Sequence, residues 1–297
     1  MRTPTLAAMR FDGDPSASIV VLTTPRSGSS WTASLMRSTG LMGVCREWMT
    51  WLVHPNAQSR FELPPHGTAN GEAFLASLRA ASSTPNGVFA VKIISSIWPE
   101  LPSKLAPWGI GCVEERARAA SSDSSDVGVD KDLWVSRVFP RPAVLVLRRR
   151  DRIGQAISFW RATATNRFAM LVDDTRPHEM PVYDFTALHD ALAAVDAHAI
   201  ELERAIAAFS AVPGVRMMEA VYEDMLADPV PTVRQLATMA GIKIPETHRF
   251  ETPLRMQRDD ATAEVRARFV ADLQTGMNTG TKCGTDTVLS TDRGLIT

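Results

Sequence analysis

Four short apolar runs punctuate the chain, at residues 18–24, 88–94, 143–147 and 215–218. In the first three, β-favouring residues follow one another with little alternation, the pattern of strands buried on both faces. Between these runs the apolar period lengthens to three or four. Ile153, Ala156, Ile157 and Trp160 recur at helical spacing, as do Val233, Leu236, Ala237 and Ala240 before Gly241. Asp228 is suited to cap that second helix, with Pro229 at its first position. The longest periodic stretch, residues 186–209, carries Leu188, Leu192, Val195, Ala199, Leu202, Ile206 and Phe209 on one face. It reads as a core face, with a homodimer contact as the alternative. Strands alternating with helices predict an α/β fold with a parallel sheet covered on both sides.

Two segments escape this patterning. Residues 114–132 hold few apolar positions and no period, and are read as a mobile loop, a candidate lid. The tail from 277 to 297 is rich in Thr and Gly and poorly specified. Neither a repeat nor a second domain boundary is visible, so residues 1–297 are read as one domain.

The first apolar run leads into Thr24-Pro25-Arg26-Ser27-Gly28-Ser29-Ser30-Trp31, small hydroxylated residues before a helix that Gly40 is placed to end. Helix-start N–H groups lack intrahelical partners. Ser27, Gly28, Ser29 and Ser30 could therefore turn theirs, with three hydroxyls, onto phosphate oxygens, and Arg26 adds a fixed positive charge. The pattern G-x-x-x-x-G-K-[ST] is not met, because no Lys follows Gly28. A loop gripping phosphate without that Lys fits a nucleotide whose transferred group is not a magnesium-bound phosphoryl. The third apolar run leads in turn into Arg148, Arg149 and Arg150, with Ser158 eight positions beyond Arg150. A guanidinium at a strand's carboxyl end suits bidentate phosphate binding.

This pair of motifs resembles the sulfotransferases that use 3′-phosphoadenosine 5′-phosphosulfate (PAPS). The Arg-Ser-Gly-Ser form is that of the bacterial branch containing trehalose 2-sulfotransferase. The resemblance implies a P-loop-containing, three-layer α/β fold and a phosphosulfate loop formed by Arg26, Ser27, Gly28, Ser29, Ser30 and Trp31. It also implies a 3′-phosphate site at Arg150 and Ser158, Arg150 being favoured by register and Arg148 or Arg149 left for a salt bridge. Residues 87–93, with Lys92, and residues 220–229, with Tyr222-Glu223-Asp224, match further family segments, the latter read as mainly structural. Residues 254–261 resemble a segment that closes over the nucleotide. Met256 stands there where Arg is common, so Arg255 or Arg258 would reach the phosphate, beside Gln257.

Sulfonate transfer requires charge neutralisation at the bridging oxygen, for which Arg26 and Lys92 are candidates, and a proton acceptor. The His that the cytosolic branch places two residues after the corresponding Lys is Ile94 here. Glu47 matches the carboxylate of the trehalose branch and is the candidate base. Its alternative is an ion pair with Arg46 or another Arg, and His54 is the reserve base. Trp48, Trp51, Trp98 and Trp108 cluster in the region expected to receive a carbohydrate or small-metabolite acceptor, with Trp48 and His54 as contacts. Aromatic faces fit a sugar or an apolar compound, and equally a plain core. The competing readings are a small-molecule P-loop kinase and a nucleotide-binding protein without chemistry.

Composition narrows the partners. In 297 residues, 45% are hydrophobic and the net charge is −1, with no basic block for nucleic acid. No apolar run is long enough for a membrane span and no signal pattern opens the chain, so a cytoplasmic enzyme is expected. Cys45, Cys112 and Cys283 lie scattered, against a disulfide framework or a zinc site, and no metal is expected.

Overall fold

The computed structural model describes residues 13–54, 71–108, 110, 133–175, 179–255 and 259–280. Four strands, β1 (Ala17–Thr23), β2 (Val88–Ile94), β3 (Pro142–Arg148) and β4 (Arg216–Val221), form one parallel sheet in the order β2-β1-β3-β4. Every residue of β1 is buried, as the unbroken apolar run predicts for a central strand. The edge strand β4 runs three residues past the predicted end at 218. Among the described residues it pairs on one side only, so polar residues interrupt its apolar ones and the strand is hidden in the sequence.

Helices cover both faces. They are α1 (Ser29–Ser38), α2 (Thr50–Val53), α3 (Gly71–Ser82), α4 (Leu101–Leu105), α5 (Leu133–Val138), α6 (Arg152–Thr165), α7 (Phe185–Ser210), α8 (Tyr222–Ala227), α9 (Val230–Met239) and α10 (Asp260–Gly280). Alternate residues of each strand go to opposite layers. Val20, Leu22, Phe89, Val91, Val144 and Val146 pack with α3, α4, α5 and the second half of α7. Ile19, Val21, Ala90, Ala143 and Leu145 pack with α1 and α9. The result is a three-layer α/β sandwich.

The first half of α7 serves a third cluster, in which Leu188, Ala191 and Val195 meet Ala156, Ile157 and Trp160 of α6 and Val265 and Phe269 of α10. Much of the α7 stripe is thus buried within the chain. The start of α9 falls one residue later than the sequence suggests: Val230 is its first residue, and its N–H donates to Asp228 Oδ1 at 3.0 Å. Helix α10 continues to Gly280, four residues into the segment read as tail. Residues 114–132 and 281–297 lie outside the described residues.

Candidate active site

The carboxyl ends of β1, β2 and β3 open into a cavity of about 850 Å³, where parallel α/β sheets bind ligands. Its floor is the passage from β1 to α1. Arg26 (φ 63°) and Gly28 (φ 78°) both adopt left-handed backbone conformations, which turn the chain sharply into the helix. Gly28 is also required sterically, because a Cβ there would fall 2.2 Å from the ring of Tyr222. No side chain caps α1 and its first turn holds no acidic residue, so the positive end of the helix faces the cavity unopposed.

The loop is held from behind. Ser27 is fully buried, and its hydroxyl is 2.7 Å from that of Thr24. The Gln155 amide, on α6, donates to Thr24 Oγ1 at 2.7 Å and to the Pro25 carbonyl at 2.6 Å. The Ser27 hydroxyl therefore braces the loop and does not line the cavity, whereas Arg26, Gly28, Ser29, Ser30 and Trp31 do.

The three arginines after β3 go three ways. Arg148 reaches Glu203 and Glu219, whose hydrogen bonds hold its guanidinium above its ordinary pKa. Arg150, favoured by register, is paired with Asp224 at 2.9 Å, its side chain 63% exposed, and it does not line the cavity. Arg149 does, its side chain only 8% exposed. It donates to the Arg26 carbonyl at 2.8 Å and lies over the Tyr222 ring, 5.4 Å from its centroid. The cause is tertiary: Glu223 accepts the backbone N–H groups of Arg150 and Asp151 at 3.0 and 3.1 Å and fixes the turn.

Arg26 and Arg149 together make a concentrated positive site. Burial first, and then the charge of Arg149, push the Arg26 guanidinium down to about 10. Arg26 Nε donates to Ser158 Oγ at 3.0 Å, and its terminal nitrogen donates to the Phe168 carbonyl. Trp31 and Tyr222 meet edge to face, their centroids 6.4 Å apart. Arg255 and Arg266 also line the cavity. Gln257, Met256 and Arg258 lie outside the described residues.

Glu47 comes to the same cavity by strand pairing. After α1 the chain turns at Gly43 (φ 71°), where a Cβ would lie 2.7 Å from the Ala90 backbone nitrogen. It then runs along the free edge of β2, where Arg46 bridges Val91 and its carbonyl accepts the Lys92 N–H at 2.8 Å. Glu47 thereby lands beside Lys92. The buried Lys92 ammonium is 2.7 Å from Glu47 Oε1 and donates to Ser30 Oγ at 2.9 Å, linking carboxylate and loop. The partner of Glu47 is thus this Lys, where the sequence suggested an Arg. His54 lines the cavity as well.

Trp48 does not line the cavity. It is a core residue, its indole N–H donating to the Val44 carbonyl at 2.8 Å, and Trp98 is buried likewise. The side chains of Trp51 and Trp108 lie outside those described. Sequence reasoning missed Gln155, Arg266 and Phe168, which carry no local motif. It also underweighted Tyr222, whose signal was the Tyr-Glu-Asp segment.

No curated protein matches the chain. Among solved structures it is similar to a sulfotransferase from Alicyclobacillus acidocaldarius, at 13% identity and a TM-score of 0.43, covering 88% of this chain and 93% of that one. It is also similar to the sulfotransferase domain from the curacin biosynthetic pathway (12%, TM-score 0.38, 79% and 77% covered). A third is the sulfotransferase domain of the Synechococcus PCC 7002 olefin synthase (13%, TM-score 0.34, 88% and 97% covered). The model of the Stf0 sulphotransferase family matches residues 18–272, which takes in the sheet but for the first residue of β1, together with all the cavity-lining residues, and the chain belongs to that family.

Proposed function

We propose that this sulfotransferase moves the sulfonate of PAPS to a hydroxyl of a carbohydrate or small-metabolite acceptor, with Glu47 as the base. One observation carries the reading: the link from Ser30 through Lys92 to Glu47 joins a carboxylate to an uncapped helix start flanked by two buried guanidinium groups. Anion site and proton acceptor thus share one cavity.

On this reading the donor's 5′-phosphosulfate lies on the N–H groups of residues 28–30, Arg149 and Ser158 hold its 3′-phosphate, and Trp31 and Tyr222 flank its base. The acceptor oxygen forms a bond to sulfur as the bond from sulfur to the 5′-phosphate oxygen breaks. The hydroxyl proton passes to the Glu47 carboxylate, and the electron pair leaves on the phosphate of 3′-phosphoadenosine 5′-phosphate (PAP). Arg26 and Lys92 offset the charge that develops.

Calorimetric titration with PAP, with ATP and magnesium, and with AMP tests the donor. PAP should bind tightest, and its affinity should fall in Arg149→Ala. Preference for ATP with magnesium would overturn the reading in favour of phosphoryl transfer.

A further inference from the structure

Besides its charged and hydroxyl-bearing groups, the cavity lining includes the large apolar side chains of Ile94, Ile97, Ile157, Phe159, Phe168 and Met170. This apolar lining continues out onto the surface. Phe168 is 50% exposed, and Leu171 and Val172 beside it are exposed too. The lip is not a frayed end. The Phe168 carbonyl accepts from Arg26, the Met170 carbonyl accepts the Arg255 N–H at 3.2 Å, and the Val172 N–H donates to the Pro253 carbonyl at 2.8 Å. Leu171 bridges Leu254, and a largely buried Arg167–Asp174 ion pair at 2.6 Å closes the segment. Large apolar side chains held open at a cavity mouth mark a surface that a ligand covers.

Among the described residues lining the cavity, the uncharged polar side chains near Glu47 are Ser30, which already accepts from Lys92, and Thr50, His54 and Ser96. Thr50, whose N–H donates to the Glu47 carbonyl at 3.0 Å, has a buried hydroxyl without a hydrogen-bond partner among the described residues. This complement suits one hydroxyl group. A sugar carries many, and each one buried without a partner weighs against binding.

Resting on the sulfonate-transfer reading, we propose that the acceptor is an alcohol with a predominantly apolar body, alkyl or aryl, and not a bare sugar. Its hydroxyl lies between Glu47 and Thr50, and its body runs along Ile97, Phe159 and Met170 to leave the cavity across Phe168.

The test titrates the PAP-saturated protein with octan-1-ol and with trehalose. Octan-1-ol should bind more tightly, and Phe168→Ser should weaken it about tenfold, as expected for losing one buried aromatic contact, while Phe168→Leu restores it and PAP affinity stays the same. Binding of octan-1-ol that is no tighter than that of trehalose, or is unchanged in Phe168→Ser, overturns the acceptor class and leaves the donor reading intact. Failure of PAP itself to bind overturns the donor reading, and this inference with it.

Discussion

Two strand-to-helix passages meet at the cavity, and they treat their helix ends in opposite ways. The passage from β1 to α1 has no side-chain cap and no acid in the first turn. The passage from β3 to α6 is closed by its own carboxylate: Asp151 accepts the Gly154 N–H at 2.9 Å and the Arg266 guanidinium at 2.7 Å. Burial opposes ionisation of Asp151, yet these hydrogen bonds and the nearby Arg149 hold it below the usual carboxylate range. The start of α10 follows the second pattern, with Asp259 accepting the Thr262 N–H at 2.9 Å. An open helix start presents its N–H groups to an external anion, whereas a capped one has spent its positive end internally and offers only side chains. On the proposed reading, the first passage fits the group transferred, and the second supplies Arg149 and Ser158 to the other end of the donor.

The largest effect should separate chemistry from binding within the first passage. Glu47→Gln removes the proposed proton acceptor, the carboxylate joined to Ser30 through Lys92, and turnover should fall at least about a hundredfold. PAP affinity should be unchanged by calorimetry; normal turnover would remove Glu47 from the mechanism. Next, Gly28→Val sets a β-branched side chain at φ 78° against the Tyr222 ring, deforming the open helix start. A weakening of PAP binding by about a hundredfold is expected, combining backbone strain with loss of donors. Retained affinity would show that the backbone there does not hold the anion.

The second passage is tested by neighbouring arginines. Arg149→Ala should cost about ten- to a hundredfold in PAP affinity, as for a buried charge-assisted contact. Arg150→Ala, which loses an exposed pair with Asp224, should change it by less than about threefold. The reverse order would restore Arg150 to the phosphate. Removing the cap in Asp151→Ala should lower stability by about 1 kcal/mol, read as a drop in Tm.

The smallest effect is confined to acid. Burial would raise the Asp259 pKa, but hydrogen bonds from Thr262 and the Arg161 guanidinium outweigh it and bring the carboxyl from 3.8 to about 2. Depressed in the folded state, this group stabilises the protein fully above its unfolded value of 3.8, and the contribution is lost as the pH falls through about 2. The Tm difference between the wild type and Asp259→Asn should be constant near neutrality and should shrink below about pH 4. A difference independent of pH would mean that the carboxylate charge is not what stabilises α10.

Much of this architecture is legible in the chain. The strands β1, β2 and β3 are unbroken apolar runs, and the turn at residues 26–30 advertises itself through its composition, since a sharp, hydroxyl-rich entry to a helix needs small residues in consecutive positions. What escaped was whatever depends on the direction of one side chain among equivalents. Arg148, Arg149 and Arg150 are identical in sequence terms, and register alone pointed to Arg150. Glu223, more than seventy residues away, fixes the turn by its hydrogen bonds, and Arg149 is the one in the cavity. Trp48 looked like a ligand platform and is core, because the chain segment that brings Glu47 to β2 turns its neighbour into the layer beneath.

The sequence by itself determined the alternation of strand and helix, the two-sided burial of the central strands and the sharp, hydroxyl-rich turn into α1, since all of these follow from local period and backbone freedom. Only the tertiary structure decided that Glu47 pairs with Lys92, that Gln155 and Ser27 brace the loop from behind, that Tyr222 closes on Gly28, and that an apolar lip borders the cavity that Glu47 lines. Those contacts join segments tens to hundreds of residues apart, and their partners are selected by packing and by the requirement to satisfy buried polar groups, which no local pattern encodes.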